Sequence, residues 1–436
     1  MKKPSESQLH AADLMNFLDE SPCNFLAADA AARRLDKAGY KRLYLTEKWE
    51  IAPGGKYYVT KNGSALFAFI AGTGHPGEGF RIISAHSDSP GFRIKPNPEI
   101  ASDGALRLNT EVYGGPILYT WFDRPLSIAG RVVLRGADPL HPQCVNVRFT
   151  RPLLTIPHLA IHFNRKVNEG NPLSRQKDML PVIALLDEQI NSNGFLLNLV
   201  AKEIGRAVDD ILDFDLTLYD ITPAMLLGAD NEFITSGRLD DLMMVHCALT
   251  ALLNSTGEEC GMTRLVAIFD NEETGSGTKQ GAASPLLRDI MTRINNALGG
   301  SCEDFLQSIA SSFMISADNA HGIHPNYPEK HDPTNHPVLG GGPVIKINAD
   351  CKYMTDAESS AVFRTICDKA GVPCQYFVNR SDSAGGSTLG NKLTVQLDLR
   401  GVDMGVAQWA MHSVRETAAV ADANYTTRAF TAFFTD

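Results

Sequence analysis

The fold of this chain is decided by the stretch Leu265-Val266-Ala267-Ile268-Phe269-Asp270-Asn271-Glu272-Glu273-Thr274-Gly275-Ser276-Gly277. It starts with a short apolar run closed by turn residues, which is typical of a buried parallel strand. Glu272 and Glu273 therefore follow the carboxyl end of a strand, where α/β sheets bind their ligands. Two adjacent carboxylates repel each other unless a positive charge lies beside them. A metal ion with a general base next to it would account for both glutamates.

Composition indicates a globular protein and excludes several function classes. With 436 residues, 44% hydrophobic and 21% charged, the chain is ordinary in content and long enough for two or more domains. A net charge of −10 argues against binding to nucleic acid or to anionic membranes. We find no apolar run of the roughly 20 residues that span a bilayer, and no signal-peptide pattern. The eight cysteines are scattered without a Cys-x-x-Cys pair, as in reduced thiols, so we expect a cytoplasmic protein.

Periodicity predicts an α/β domain that is interrupted by a β-rich insert. Residues 5–39 are predicted as two helices broken at Ser21-Pro22, and Asn62-Gly63 predicts a hairpin. In the β-rich part, helices are predicted near 182–190 and 195–206. The other predicted elements are strands at 80–85, 265–269, 313–316 and 344–347 and helices at 239–253, 285–298, 358–370 and 404–417. The simplest architecture is one discontinuous α/β domain, 1–92 with 228–436, around an inserted domain, 93–227.

Acidic residues and histidines recur where these strands end or on helices close by. The five places are His86, Asp240, the pair Glu272-Glu273, Asp318, and His412 on the predicted helix 404–417. A mixed set of histidines and carboxylates suits zinc, cobalt or manganese, and one bridging carboxylate would allow two metal ions about 3.5–4 Å apart. Taken singly, each residue has an ordinary alternative as a structural histidine, a helix-start charge or a solvated turn. The metal hypothesis depends on the whole set meeting in space.

Longer motifs surround these residues in a fixed order. They are Ser84-Ala85-His86-Ser87-Asp88-Ser89-Pro90-Gly91, Ser236-Gly237-Arg238-Leu239-Asp240, Asp270 to Ser276, Ser316-Ala317-Asp318-Asn319-Ala320-His321, His324-Pro325-Asn326-Tyr327, Gly342-Pro343-Val344-Ile345-Lys346 and Met411-His412-Ser413. In these motifs the chain closely resembles the M18 family of metallopeptidases, the aspartyl aminopeptidases, over essentially its whole length. The resemblance implies a zinc-aminopeptidase-like α/β/α catalytic domain with a mixed sheet and an inserted β-rich dimerisation domain. It also implies a homo-oligomer in which dimers assemble into a tetrahedral dodecamer.

The resemblance further implies two zinc ions per subunit, for which cobalt or manganese could substitute. Asp240 would bridge the two ions. His86 and Asp318 would complete one metal site, and Glu273 and His412 the other.

General-base catalysis is implied for Glu272, which would take a proton from water and return it to the leaving amine. The substrates would be peptides with free N-termini, with Asp or Glu preferred as the N-terminal residue. Asp88 would accept a hydrogen bond that orients the His86 imidazole; its alternative is a turn cap.

Substrate contacts are implied for His162, His321, Lys346 and Tyr353. His162, in the insert, would reach the active site of the partner subunit and stabilise the oxyanion. Lys346 ends an apolar strand, where an ammonium is costly unless it meets an anion such as a substrate carboxylate; the alternative is a structural salt bridge. His321 could instead be a core or turn histidine, and Tyr353 a packing residue.

Three further possibilities compete with this interpretation. A non-catalytic scaffold that forms a shell is disfavoured by the retained base Glu272, whereas an aminopeptidase of neutral or broad specificity stays open. Gly72 to Gly77 fits the G-x-G-x-x-G pattern, but a strand follows it where a helix should open, so dinucleotide binding is not expected.

The Pro-rich loop 325–343 either covers the active site or is an ordinary surface loop.

Overall fold

The computed structural model describes residues 5–186 and 194–435. Contacts divide the chain into two compact units. The first comprises Met1–Asp88, Ala224–Met411 and Glu416–Asp436, and the second comprises Ser89–Pro223 and His412–Arg415. Among the helices of residues 5–186 and 194–435, none combines the length and the hydropathy of a membrane-spanning segment. The predicted role of residues 93–227 as a dimerisation domain stays a prediction.

Two helices open the chain, a run of strands follows, and helices alternate with strands mainly after residue 238. The α-helices are α1 (Glu6–Glu20), α2 (Asn24–Lys37), α3 (Phe195–Ile204), α4 (Leu239–Asn254), α5 (Leu286–Ala297), α6 (Cys302–Ser311), α7 (Ala357–Ala370), α8 (Leu389–Gln396) and α9 (Val420–Thr435). The strands are β1 (Lys41–Leu43), β2 (Lys56–Lys61), β3 (Ala65–Ile70), β4 (Phe80–His86), β5 (Gly91–Ser102), β6 (Ala105–Tyr113), β7 (Leu126–Leu134), β8 (Gln143–Arg148), β9 (Val182–Leu185), β10 (Ile211–Asp220), β11 (Met225–Leu227), β12 (Phe233–Ser236), β13 (Thr263–Phe269), β14 (Phe313–Ala317), β15 (Ala320–His321), β16 (Val344–Ile347), β17 (Gln375–Val378), β18 (Arg400–Gly405), β19 (Ala407–Trp409) and β20 (Glu416–Ala419).

The main sheet of the first unit has the strand order β1-β2-β3-β13-β4-β14-β18-β16-β17. Strands β13, β4, β14 and β18 run parallel to one another. Strand β3 is antiparallel to β13, and β16 is antiparallel to β18, so the sheet is mixed. The carboxyl ends of the four central parallel strands therefore meet at one edge of the sheet.

Strand β13 explains why this sheet is covered on both faces. Its side chains alternate between two cores: Val266 and Ile268 pack in one, and Leu265, Ala267 and Phe269 in the other. Residues of α1, α2, α4, α7 and α9 line the first core, and residues of α5, α6 and α8 line the second. The expected α/β fold with a mixed sheet is confirmed, with helices on both faces.

The amino-terminal predictions are confirmed as well. Helix α1 begins after a capping box formed by Ser5 and Gln8, and the chain breaks at Ser21-Pro22 before α2. Strands β2 and β3 pair antiparallel around a three-residue loop, 62–64, in which Asn62 and Gly63 have the positive φ angles of 57° and 71° that tight hairpin turns require.

The predicted helix 404–417 is wrong. These residues end β18, form β19, and enter β20 after a turn that contains His412 at a φ of 68°. Strand β19 pairs with β20 in a second, small sheet of the first unit, with the order β11-β12-β20-β19-β15. The apolar residues of two short strands happen to have the spacing expected of a helix. In runs this short, periodicity alone does not separate a helix from a strand. The helix begins only at Val420.

The second unit is built on an antiparallel sheet with the order β8-β7-β10-β5-β6-β9. Helix α3 contributes Leu196 and Val200 to its core, and it fulfils the prediction near 195–206. The helix predicted near 182–190 is wrong for 182–185, where β-branched Val182 and Ile183 lie in β9 and pair with β6. Residues 187–190 lie outside the described residues.

Candidate metal centre

Three neighbouring strand ends bring the predicted residues of the first unit to one edge of the main sheet. His86 ends β4 and lies opposite Phe269, which ends β13. Glu272 and Glu273 follow in a 3-10 turn, Glu272–Thr274. Asp318 comes directly after β14. The parallel direction of β4, β13 and β14 is the reason that side chains so far apart in sequence lie together.

Four buried residues form a compact donor group: His86, Asp240, Asp241 and Asp318 each offer a ligand atom within 4.8 Å of the others. His86 Nε2 lies 3.4 Å from Asp240 Oδ1. The His86 backbone N–H donates to Asp241 Oδ2 at 3.0 Å. Sequence reasoning did not count Asp241 as a site residue; its one signal was its position next to Asp240.

An irregular start to α4 positions Asp240. The backbone angles of Asp240 and Asp241 are not helical, and the peptide bond between them is cis. The Asp240 N–H donates to Glu416 Oε2 at 3.0 Å, and Asn319 Nδ2 donates to Leu239 O at 2.8 Å. Glu416 and Asn319 thus hold the segment that carries the aspartates, a supporting role that spacing along the sequence could not reveal.

The electrostatics of this group favour a bound cation. Burial raises the pKa of Asp241 well above its usual value, and it raises the pKa of Asp318. Burial acts to lower the pKa of His86, but the charge of Asp241 and the side-chain hydrogen bonds with Asp240 and Asp88 outweigh it and raise that pKa well above the usual value. Carboxylates crowded together in the interior need positive charge to stay ionised. Imidazole nitrogen and carboxylate oxygen are ligands that zinc accepts, so the residues present fit this metal.

Asp88 connects the histidine to the two glutamates. Its Oδ1 accepts the backbone N–H of Glu272 and its Oδ2 accepts that of Glu273, both at 3.1 Å. The His86 Nδ1 atom lies 3.1 Å from the Asp88 carbonyl oxygen and 3.3 Å from Asp88 Oδ1. Asp88 therefore caps the turn and also lies against the imidazole of His86. The two alternatives considered for Asp88, a turn cap and a residue beside the imidazole, thus occur together.

The two glutamates differ in their surroundings. Burial, with the charges of Asp318 and Asp88, raises the pKa of Glu272 to about 8. Burial, followed by the charge of Asp240, raises the pKa of Glu273 well above its usual value. Both carboxyl groups lie near the aspartates of the group, whose negative charges add to the effect of burial.

A buried lysine lies beside the donor group. Lys346 Nζ is 3.5 Å from Asp318 Oδ1 and 5.7 Å from the centre of the Tyr353 ring. Burial acts to lower the pKa of Lys346, but the charge of Asp318 opposes it and the pKa is raised. His321, on β15, is exposed, and its ring centre lies 5.9 Å from that of Phe377.

Two predicted residues belong to the second unit. His412 Nδ1 lies 3.1 Å from the carbonyl oxygen of Gly115. His162 lies exposed in a turn. The functional roles of both residues stay predictions.

Comparison with known proteins identifies the family. The sequence model of the family described as "Aminopeptidase I zinc metalloprotease (M18)" matches residues 17–434. The chain is 49% identical over 426 residues to the "Probable M18 family aminopeptidase 2" of Clostridium novyi, covering 97% of this chain and 98% of the relative. It superposes on the matching chain in a cryo-electron microscopy structure of an Ape4 and Nbr1 complex with a TM-score of 0.96 at 37% identity, covering 100% and 88% of the two chains. For the S. cerevisiae mApe1 dodecamer the TM-score is 0.85 at 28% identity, with 98% and 96% covered.

Fold, donor group and comparisons together define a metallopeptidase. The chain belongs to the M18 family of metalloaminopeptidases.

Proposed function

We propose that this chain is a dizinc aminopeptidase that removes an N-terminal Asp or Glu from peptides. The observation that carries the proposal is the meeting of His86, Asp240 and Asp318 beside Glu272 at the carboxyl edge of parallel strands. The family description names zinc, and the donor set suits it. A scaffold without activity would have no need for an intact base beside an intact donor group.

The metal-holding residues are assigned as follows. His86 and Asp318 would hold one zinc ion, Glu273 and His412 the other, and Asp240 would contact both. When bound, the zinc ions supply Lewis acidity, which lowers the pKa of water and polarises the scissile carbonyl. Asp241 would keep the His86 backbone in place through the hydrogen bond at 3.0 Å.

Proton movement is assigned to Glu272. Its carboxylate takes a proton from the attacking water and returns it to the nitrogen of the leaving amine. Asp88 contributes by accepting the N–H groups of Glu272 and Glu273, which fixes the turn on which both carboxyl groups stand. A general base held within hydrogen-bond reach typically contributes about 10²–10⁴-fold to the rate.

Acidic specificity is assigned to Lys346, whose raised pKa keeps it charged. Tyr353 and His321 would shape the same subsite. One observation favours the second candidate, an aminopeptidase of neutral or broad specificity: Lys346 already faces Asp318 at 3.5 Å. An ammonium that is neutralised within the chain has less need of a substrate carboxylate, so the two candidates differ in a measurable way.

Assembly is the remaining part of the proposal. His162 is flanked by the exposed apolar residues Leu159, Ile161 and Phe163, which are 56%, 50% and 80% exposed. Apolar clusters of this kind mark contact surfaces, and a second subunit would cover them while receiving His162 as an oxyanion ligand. The likeness to the mApe1 dodecamer supports assembly into the same number of subunits. All eight cysteines are free thiols, which agrees with a cytoplasmic location.

The test is a panel of aminoacyl chromogenic substrates, run with the purified protein, with chelator, and after addition of zinc, cobalt or manganese. We expect chelator-sensitive hydrolysis that zinc restores, with Asp and Glu substrates preferred. Equal rates on Asp, Glu, Leu and Ala substrates would establish the broad-specificity candidate. Absence of hydrolysis on every substrate in the metal-loaded protein would refute the catalytic proposal.

A further inference from the structure

A second set of metal-binding side chains lies in the first unit, apart from the residues assigned above. His10 on α1 and His246 and Cys247 on α4 each offer a ligand atom within 4.8 Å of the others. His246 is 1% exposed and Cys247 is fully buried. None of these three residues has a part in the proposed hydrolysis.

The hydrogen bond of His246 fixes which nitrogen is available. Its Nε2 lies 2.7 Å from Asp13 Oδ2, and a carboxylate only accepts, so Nε2 carries the proton. The other nitrogen, Nδ1, therefore presents a lone pair. Among the described residues, this buried atom has no hydrogen-bond partner. Histidines that bind metals usually have this arrangement: one ring N–H donates to a carboxylate, and the other ring nitrogen is left to coordinate the metal.

His10 lies beside it in a similar arrangement, except that its partner is a hydroxyl, which can accept a proton from Nε2 or donate one to it. Its Nε2 lies 2.7 Å from Thr427 Oγ1, and its buried Nδ1 likewise has no partner within the part of the chain that the structure describes. The two rings are 5.0 Å apart and nearly perpendicular. Burial lowers the pKa of His10 to about 4 and lowers that of His246, so both imidazoles are neutral at neutral pH. Neutral imidazole is the form that binds metal ions.

Cys247 completes the set. Its thiol donates to the Ala423 carbonyl oxygen, with the sulfur 3.4 Å from that atom. Burial raises the pKa of Cys247 to about 12, so the thiol keeps its proton unless a metal displaces it. Two imidazole nitrogens and one thiolate favour zinc over magnesium and calcium, because those hard cations prefer oxygen ligands.

We propose that His10, His246 and Cys247 bind one further zinc-class divalent cation, separate from the catalytic pair, which fastens α1 to α4. On binding, the S–H bond of Cys247 breaks, a sulfur–metal bond forms, and the proton passes to solvent. The site has a structural consequence, because α4 begins with Asp240 and Asp241. A cation there would stabilise the helix that carries these aspartates without contacting the substrate.

Cobalt is the probe that separates this site from the catalytic one. The catalytic ligands are histidines and carboxylates, so only a site with a thiolate gives the sulfur-to-cobalt charge-transfer absorption. We expect the metal-stripped full chain, titrated with Co²⁺, to develop this band and to bind one more equivalent per chain than Cys247→Ala. Cys23→Ala is the matched control, since Cys23 is also buried but lies at the start of α2, and it should keep both the band and the equivalent.

A second variant keeps the test decisive if Cys247→Ala does not fold. His10→Gln leaves the thiol and the pair of His246 and Asp13 in place. It should weaken cobalt binding at the thiolate site by more than about tenfold, because loss of even a residue that only orients a ligand costs that much. Zinc should also raise the Tm of the wild-type chain more than that of His10→Gln. Equal stoichiometry in wild type and Cys247→Ala would overturn the proposal. A band that survives in Cys247→Ala would also overturn it, because it would come from exposed thiols such as Cys144, Cys302 or Cys351.

Discussion

Asp88 Oδ1 accepts the backbone N–H of Glu272 at 3.1 Å, which ties the second residue after strand β4 to the turn that follows β13. The same carboxylate holds Glu273 and lies against His86. One side chain therefore supports a metal-ligand candidate on one strand and the proposed base on the next. This relationship makes Asp88 a positioning residue that contacts neither substrate nor water in the proposed reaction.

Asp88→Asn should lower activity and zinc affinity by about 10–100-fold, because an amide can accept only one of the two backbone N–H groups at its oxygen. Metal titration and steady-state kinetics on the same preparations measure both effects. Asp270→Asn is the matched control: Asp270 is a neighbouring buried carboxyl that accepts from Asn24 and from the Asn271 N–H. If the two variants lose affinity and activity equally, the specific role of Asp88 is wrong.

Glu272→Gln should lower kcat by about 10²–10⁴-fold while zinc content and circular dichroism stay unchanged. The amide is nearly the same size as the carboxyl but cannot take the proton from water. Glu273→Gln offers the contrast, since it should lose zinc as well as activity. Near-normal turnover by Glu272→Gln would eliminate this residue as the base.

Lys346→Ala should reduce kcat/KM for Asp and Glu substrates at least about tenfold more than for Leu or Ala substrates, because a charged hydrogen bond to a carboxylate contributes about 1.5–3 kcal/mol. Lys352→Ala is the control, since Lys352 donates to the Gly385 carbonyl oxygen instead of facing a carboxylate. A uniform loss on all substrates would show that Lys346 serves only its ion pair with Asp318.

Mixed oligomers test the trans role of His162. The His162→Ala variant alone should keep its zinc but have a lowered kcat. The Glu272→Gln variant alone should be nearly inactive. When the two chains are co-expressed, an active site with an intact Glu272 can receive His162 from the other chain, so activity should reappear. Co-expression of His162→Ala with the double variant His162→Ala/Glu272→Gln provides no intact site and should restore nothing. Restoration in neither mixture, or in both, would contradict the prediction.

Asp422 should make the stability of the first unit depend on pH. Its carboxylate accepts the N–H groups of Gly340 and Gly342 at 2.7 and 2.8 Å, yet burial raises its pKa to about 7. The pKa of Asp422 is about 4 in the unfolded chain and about 7 in the folded chain. The protonated group therefore makes its full contribution to the free energy of unfolding below about pH 4, and this contribution is lost as pH rises toward about 7. Relative to Asp422→Asn, whose amide does not ionise, the wild-type chain should therefore lose up to about 4 kcal/mol of unfolding free energy over this range.

Urea unfolding of the metal-stripped chain at pH 5 and pH 8 measures this difference. Asp356→Asn is the control: Asp356 caps α7, and its hydrogen bonds with Ser359 lower its pKa. Its contribution to stability changes only below about pH 4, so the difference between that variant and wild type should be the same at pH 5 and pH 8. Parallel stability curves for wild type and Asp422→Asn would rule out the burial effect.

The strand ends were predictable because the signals there are local. Leu265 to Phe269 is apolar throughout since β13 is buried on both faces, and Glu272 stands out against it. Asp318 follows β14 in the same manner. Parallel pairing then places these residues together, and this is a rule of sheet geometry that does not depend on this particular sequence.

The remaining features depend on long-range contacts that leave no local pattern. Glu416 supports Asp240 across 176 positions of sequence, and nothing near Glu416 indicates that partner. The sequence predicts a helix at the turn with His412 because the apolar residues of β18 and β19 have a spacing that helices also show. Positive φ values at Ala410 and His412 identify the turn in three dimensions, whereas neither residue type predicts it.

The pairing of β4 with β13 has a consequence for synthesis of the chain. Phe80–His86 leaves the ribosome early, but its neighbours in the sheet are Thr263–Phe269 and Phe313–Ala317. At about 5–20 residues per second, translation from one pairing strand to the next takes on the order of ten seconds or more. Residues 89–223, which are nearly all of the second unit, can fold during that interval, while β4, whose Ile82, Ile83 and Ala85 are fully buried in the folded protein, waits unpaired. Nascent chains at this stage should be the form that most needs chaperones, and slowing translation after residue 86 should increase aggregation.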